Sequence, residues 1–411
     1  MIRSRGDWRL CDETRLASTG CRSEYRETKG FKMKTTTTLT FVLALIAGAP
    51  VLAQSYDVET LAKGLDQPWA MTFLPDSGDI LMTGRGGIFL LYDAASGAVS
   101  ELDGAPDVST AGQGGLLDVA LAPDFADSNV IYMTWAGSVA GGTTTHLGRG
   151  KLDRLAGTVT DIETLFQVSP GIASNAHYGS RIVIHDDHIY MGTGDRNSKA
   201  FGPDHIAQDL SSENGSVIRL TLDGTVPDDN PFVDIENAAP AIWSYGHRNI
   251  QAMTVHPDTG DIWLAEHGEA GGDEINIVAR GENYGWPLAA YGVDYRTGEQ
   301  FAPTHQDGDG FVAPAYHSGP GRNDHFPPSG MTFYDGDAFP DWQGHLLVGN
   351  LFHRYLGVFP VDGAQVSDPE RVLDGAGYRI RDVAVGPQDG YIYVLTDGDD
   401  APLLRLVPSE G

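Results

Sequence analysis

The sequence predicts an all-β fold, a six-bladed β-propeller with four-stranded blades around a central channel, on three observations. A pair of short apolar strands recurs six times, the apolar residues within each strand alternate with period two, and no long stretch has helical periodicity. Radial repetition of small sheets suits this pattern, because each blade keeps only short, protected edges and loops from every blade meet at the axial channel.

The first copy runs from Ala70 to Leu74, turns at Pro75-Asp76 and returns from Asp79 to Met82. The second is Asp118 to Ala122 followed by Val130 to Met133, and the third pairs Arg181 to Ile184 with Ile189 to Met191. The fourth joins Ala252 to Val255 with Ile262 to Leu264 through His256-Pro257-Asp258. The fifth pairs Gly330 to Phe333 with His345 to Val348, and the sixth pairs Asp382 to Val385 with Tyr391 to Val394. Period-two alternation marks strands with a buried face, and the Pro, Asp and Gly turns mark hairpins. Tyr56 to Leu65 reads as a strand that closes the ring by joining the last blade, which ends near Leu406. Residues 192–249 and 265–328 are rich in Gly, Asp and Pro, and read as long loops within a single domain over residues 54–411.

The start of the chain follows another pattern. Residues 1–32 are polar, irregular and Arg-rich, and read as an over-annotated or disordered extension. Residues 33–53 carry a Met-Lys start, a threonine run, the apolar stretch Leu39 to Ala47 and a small-residue site at Val51-Leu52-Ala53, the layout of a secretory signal peptide. That stretch is too short to span a bilayer, so the expectation is a periplasmic or secreted protein without a membrane anchor. Both cysteines, Cys11 and Cys21, precede the signal, which leaves the expected mature chain without thiol chemistry. Removing residues 1–53, with their nine basic and five acidic side chains, takes the formal net charge from −29 to −33. So acidic a chain is a poor partner for nucleic acid or anionic membranes.

Seven loop motifs carry a family signal. In order they are Gly112-Gln113-Gly114-Gly115-Leu116-Leu117, His177 to Arg181, Gly194-Asp195-Arg196, Gly246-His247-Arg248-Asn249, Asp273-Glu274-Ile275-Asn276, Asn283-Tyr284-Gly285-Trp286-Pro287 and Tyr378 to Asp382. In order and approximate spacing the chain resembles the soluble PQQ-dependent aldose sugar dehydrogenases from about Leu65 to Val407. The resemblance implies oxidation of an aldose to its lactone by hydride transfer to PQQ, with calcium assistance and an external electron acceptor. It makes His177 the base, a role suited to an imidazole that takes up protons near neutral pH, with Asp195 orienting the ring. It places Arg248 beside the reacting quinone carbonyl and Gln113, Arg248, Asn249, Arg379 and Arg381 on the cofactor, where guanidinium forks match carboxylates. Calcium is implied at main-chain carbonyls of the loop His267 to Gly272, here Gly268 and Glu269 where the family usually has Gly-Pro, and a second, structural calcium at Glu274 and the Tyr284 carbonyl.

One position departs from the family. A cofactor-binding Lys is expected after the second strand of the fifth blade, and Phe352 stands there, with His353 and Arg354 adjacent. Two alternatives stay open: a calcium-dependent lactonase on the same scaffold, and a non-catalytic exported carbohydrate-binding propeller. His146, His185, His188, His205 and His256 show no zinc spacing and read as ordinary polar or turn residues. The sequence is compatible with a monomer or a homodimer. N-terminal sequencing of exported protein is expected to begin near Gln54; a cytoplasmic product that retains Met33 to Ala53 would contradict the signal-peptide reading.

Overall fold

The computed structural model describes residues 54–75, 77–323 and 325–409. The signal segment, the extension before it and both cysteines lie outside the described residues. Six four-stranded antiparallel sheets account for almost all the regular structure. Their innermost strands are Pro68–Phe73, Leu116–Leu121, Gly179–His185, Ile250–Val255, Pro328–Phe333 and Ile380–Val385, which neighbour one another in that order and close a ring. Each of the six sequence repeats forms the first two strands of one blade.

The ring closes through the chain's own start. Tyr56–Leu65 pairs with Ala401–Pro408, from Tyr56 opposite Pro408 to Leu65 opposite Ala401, so the sixth blade combines one N-terminal strand with three C-terminal ones. Residues 192–249 and 265–328 are less loop-like than their composition suggests. They contain Ser216–Thr221 and Ile242–Tyr245, which complete the third blade, and Glu274–Ile277 and Tyr316–His317, which complete the fourth. Short outer strands separated by long polar connections leave too few alternating residues for a visible period.

An apolar cluster fills each junction between neighbouring blades. Leu81 and Phe89 meet Leu116 and Met133 between the first two, and Val358 and Leu356 meet Val383 and Val394 between the last two. At the ring closure Met82 and Leu90 meet Leu395 and Leu403. Hydrophobic burial between blades, roughly 25 cal/mol per Å² of apolar surface, therefore supports the whole circuit rather than one central core.

All six innermost strands share an irregularity. Each has a register shift against its neighbour near its beginning, as between Pro68 and Ala70, Ile250 and Ala252, and Ile380 and Asp382. A β-bulge turns an extra side chain out of the alternation. The residues so placed include Trp69, Leu117, Gln251 and Arg381, all of which line a cavity at that end of the axis.

Below them lies a buried ion network. Arg181 reaches Asp118 of the second blade and Asp382 of the sixth, both at 3.0 Å, and donates through Nε to the Gln251 carbonyl of the fourth at 3.0 Å. Asp118 also accepts from the Ile182 backbone N–H and Asp382 from that of Met71, at 2.7 and 2.8 Å. This arrangement needs Gly330, because a Cβ there would overlap the Asp382 carboxylate and backbone. Gly330→Ala is expected to lower stability by about 1–3 kcal/mol, the usual cost of overpacking a close-packed interior. Thermal or denaturant unfolding reads the change, and an unaltered midpoint would show that the axis can yield.

Candidate functional site

The cavity at the bulged end of the axis has a volume of about 360 Å³, within the range of small-molecule sites. Of the residues expected on a cofactor, Gln113, Asn249, Arg379 and Arg381 line it. Arg381 is buried, donates to Gln251 Oε1 at 3.3 Å and leaves Nε without a partner among the described residues. Desolvation pulls its pKa down to about 10, so the burial of this cation is incompletely compensated. Its guanidinium and that of Arg181 sit over the Trp69 ring, 4.5 and 4.4 Å from the centroid. Arg379 pairs with Asp397 at 2.7 Å and donates to the Leu351 carbonyl. Asn249 holds the wall, its Oδ1 accepting from the Gly179 backbone N–H at 3.2 Å.

Two further arginines line the cavity that sequence reasoning did not single out, Arg85 and Arg322. Arg85 follows the second strand of the first blade and donates to the carbonyls of Gly112 and Gly114. Phe352 is on the wall where a Lys is expected, half exposed, with its ring 4.5 Å from that of His325. Among the described residues, four arginines line the cavity against one acid, Asp397, so this lining is cationic despite Phe352. An isolated Arg beside a strand has no distinguishing sequence pattern; only the closed ring brings these four together.

A second recess, about 380 Å³, shares Gln113, His267, Tyr295 and Pro327 with the first and so adjoins it. It contains His177 and Arg248. His177 Nδ1 lies 2.6 Å from Asp195 Oδ1, and the His177 backbone N–H donates to Gln113 Oε1 at 2.8 Å. His177 adopts a left-handed φ of 50°, held by Asp195 of its own blade and by Gln113 of the second. Asp195 is itself fixed, accepting from Trp286 Nε1 at 2.9 Å and from the Asn197 backbone N–H at 2.8 Å. Burial of the imidazole, then Arg248, lowers the His177 pKa below its ordinary 6.5 despite Asp195. Desolvation alone would raise Asp195, but His177 and Arg248 outweigh it and keep the carboxyl below 3.8. The pair is thus a neutral imidazole backed by a carboxylate, with Nδ1–H directed at Asp195 and Nε2 left as the basic atom. His205, expected to be an ordinary residue, is fully buried with Nε2 3.6 Å from Asp195 Oδ2.

Arg248 lies in the recess, not on the first cavity's lining. It donates to Glu269 Oε2 at 2.6 Å and to the His267 carbonyl at 3.1 Å, with Nε unpaired. The Glu269 carboxylate also receives Lys199 Nζ at 2.6 and 2.7 Å, so its charge is already matched by two cations. What the loop can offer a metal is its backbone: the carbonyls of Gly268 and Glu269 receive no backbone hydrogen bond from the described residues. Glu274 and Tyr284 line a small closed space with Glu266, room for about one water-sized species. Burial, and then Glu266, pushes the Glu274 pKa well above the carboxylate range. Two buried carboxylates beside a carbonyl form a donor set that suits a hard cation. His305 Nε2 lies 3.2 Å from the Tyr284 carbonyl and shares it.

Comparison with known proteins places this geometry. The family model described as Glucose / Sorbosone dehydrogenase matches residues 65–405. The aldose sugar dehydrogenase YliI of Escherichia coli is 42% identical over 361 residues, covering 86% of this chain and 93% of that protein. The crystal structure of the soluble E. coli aldose sugar dehydrogenase in its apo-form superposes with a TM-score of 0.81 at 40% identity, covering 86% of this chain and 100% of that one. The PQQ-bound form of the aldose sugar dehydrogenase from Streptomyces coelicolor gives a TM-score of 0.69 at 28% identity, over 86% and 98% of the two chains.

The unpaired state of Arg381 has a consequence for stability. Arg381→Met keeps the bulk over Trp69 and removes a buried cation, so the ligand-free protein is expected to unfold at the same temperature or higher, by about 1 kcal/mol. Calorimetry checks this, and a marked loss of stability would show that Arg381 is already compensated by the fold.

Proposed function

The chain belongs to the glucose/sorbosone dehydrogenase family, and from that premise we propose that it oxidises an aldose to its lactone by PQQ-dependent, calcium-assisted hydride transfer, with the electrons passing to an external acceptor. The observation that carries this reading is the buried His177–Asp195 pair in a recess that adjoins a cavity lined by four arginines.

Bound PQQ would supply an electrophilic ortho-quinone able to accept a hydride, and calcium would polarise it. The residues present fit an anionic quinone. Arg381 has an unpaired buried Nε, Arg85, Arg322 and Arg379 add positive charge, and Gln113 and Asn249 bring amide groups to the wall. Main-chain carbonyls of Gly268 and Glu269 would hold the assisting cation, while Glu274 and the Tyr284 carbonyl would hold a structural one. Arg248 contributes a fixed positive charge beside the base.

His177 Nε2 takes the proton from the anomeric hydroxyl as the C1 hydride departs, leaving a carbonyl at C1. The imidazolium that forms is stabilised by Asp195, whose two oxygens are already oriented by Trp286 and the Asn197 N–H. A lowered pKa keeps the base unprotonated at neutral pH, at some cost in basicity. The lactonase alternative would need several acids free to converge on an axial metal, whereas Asp118 and Asp382 are tied to Arg181 and to backbone N–H groups. The signal-like segment Met33 to Ala53 supports placing the reaction outside the cytoplasm.

His177→Ala is expected to retain PQQ affinity and lose turnover on the order of a hundredfold or more, with Asp195→Asn less severe. A C1-deuterated aldose should react more slowly where chemistry limits the rate. Aldose oxidation at the parent rate by the PQQ-loaded His177→Ala protein would exclude this base. The pH profile is a separate check. Because burial lowers the His177 pKa, the acid limb of kcat/KM should be centred below pH 6.5. An acid limb centred above 6.5 would assign the essential group elsewhere.

A further inference from the structure

Lys199 lies on the segment that follows Asp195, and Glu269 lies on the fourth-blade loop. Their side chains meet across the recess that contains His177. The Glu269 carboxylate is about 1% exposed, and it takes Lys199 Nζ on both oxygens and Arg248 on Oε2. A buried carboxylate needs compensation, and here two cations converge on it. Lys199 remains about 32% exposed on the recess side. An ammonium has three donors, of which Glu269 takes two, so one N–H is left for a ligand. The aromatic rings of Phe201 and Tyr295 lie 5.8 Å from Nζ and confine it.

From this we propose that Lys199, fixed by Glu269, is a specificity-determining residue that donates a charge-assisted hydrogen bond to a sugar hydroxyl other than the one His177 deprotonates. The inference rests on the aldose-oxidising reading and deepens it. The ligand it calls for is rich in hydroxyls, because the ammonium, bridged to both Glu269 oxygens, is held in one orientation and offers a directed donor. Glu269 is a positioning residue, setting Lys199 on one side of the recess and Arg248 on the other. The titratable and charged groups around His177 are Asp195, Arg248, Lys199, His267 and Glu269, with His205 behind Asp195. Removing the Glu269 charge leaves Lys199 and Arg248 less compensated and should move the acid limb of kcat/KM to lower pH, an effect that a purely structural role would not produce.

The test uses the PQQ- and calcium-loaded protein and the ligand-free protein in parallel. With the aldose that the parent oxidises fastest, Lys199→Met should raise KM by about tenfold or more, the scale of a lost charge-assisted hydrogen bond, with kcat within about twofold. Glu269→Gln should raise KM similarly and shift the acid limb down. Hydrogen exchange over residues 197–205 reads the same contact without turnover. D-glucose and D-xylose are the probes, and at least one should slow exchange there in the ligand-free parent but not in Lys199→Met. An unchanged KM in Lys199→Met, or exchange that responds equally in parent and variant or in neither, would overturn the proposal. Because the exchange experiment needs no oxidation, failure of the dehydrogenase reading shows separately, as a loaded parent that binds sugar and does not oxidise it.

Discussion

Arg181 is the side chain on which the geometry of both recesses depends. Buried on the axis, it ties the second, fourth and sixth blades to the third through Asp118, the Gln251 carbonyl and Asp382, and shares the Trp69 ring of the first with Arg381. The two aspartates and the carbonyl compensate much of the buried charge and tie together the innermost strands that carry them. The bulges at the start of those strands then turn Trp69, Leu117, Gln251 and Arg381 into the space above. Apolar junctions hold the blades together. The ion network links the innermost strands of five blades through Met71, Asp118, Arg181, Gln251 and Asp382, beneath the cavity.

Charge is distributed to match. The sequence has 56 acidic residues and 27 basic ones, yet four arginines gather at one cavity where, among the described residues, Asp397 is the single acid. Arg381 remains short of a counter-charge, while Arg248 next door shares Glu269 with Lys199. One compartment therefore gathers arginines with little counter-charge, and the other sets a Lys199–Glu269–Arg248 bridge beside the His177–Asp195 pair. Phe352 fits this division: the wall loses a cation at that position and gains an aromatic surface against His325, while Arg85 and Arg322 keep the cavity positive.

The inner half of each blade was legible in the sequence because its strands alternate cleanly and its turns use Pro, Asp and Gly. The ring closure was legible for the same reason, Tyr56–Leu65 being a strand with no partner nearby in sequence. Outer strands such as Tyr316–His317 were not, since two residues carry no period. Within the site, His177 and Asp195 could be paired on paper because motifs in a resembling family mark both, and the structure brings their side chains to 2.6 Å. Arg85, Arg322, His205 and Lys199 were missed. Each is an ordinary residue in its local sequence, and its importance arises from tertiary contacts. Glu269 was read only through its carbonyl, because the convergence of Lys199 and Arg248 on its side chain is a tertiary fact.

Both compartments come together in the claim that an anionic quinone in the arginine-lined cavity accepts electrons from a sugar held against His177. Reconstitution tests it most directly: purified protein titrated with PQQ in the presence of calcium, with reduction of an artificial electron acceptor followed for a panel of aldoses. The account predicts that acceptor reduction with at least one aldose appears with PQQ and saturates near one cofactor per chain. Saturable PQQ binding without acceptor reduction by any aldose, or aldose oxidation that is indifferent to PQQ, would contradict it.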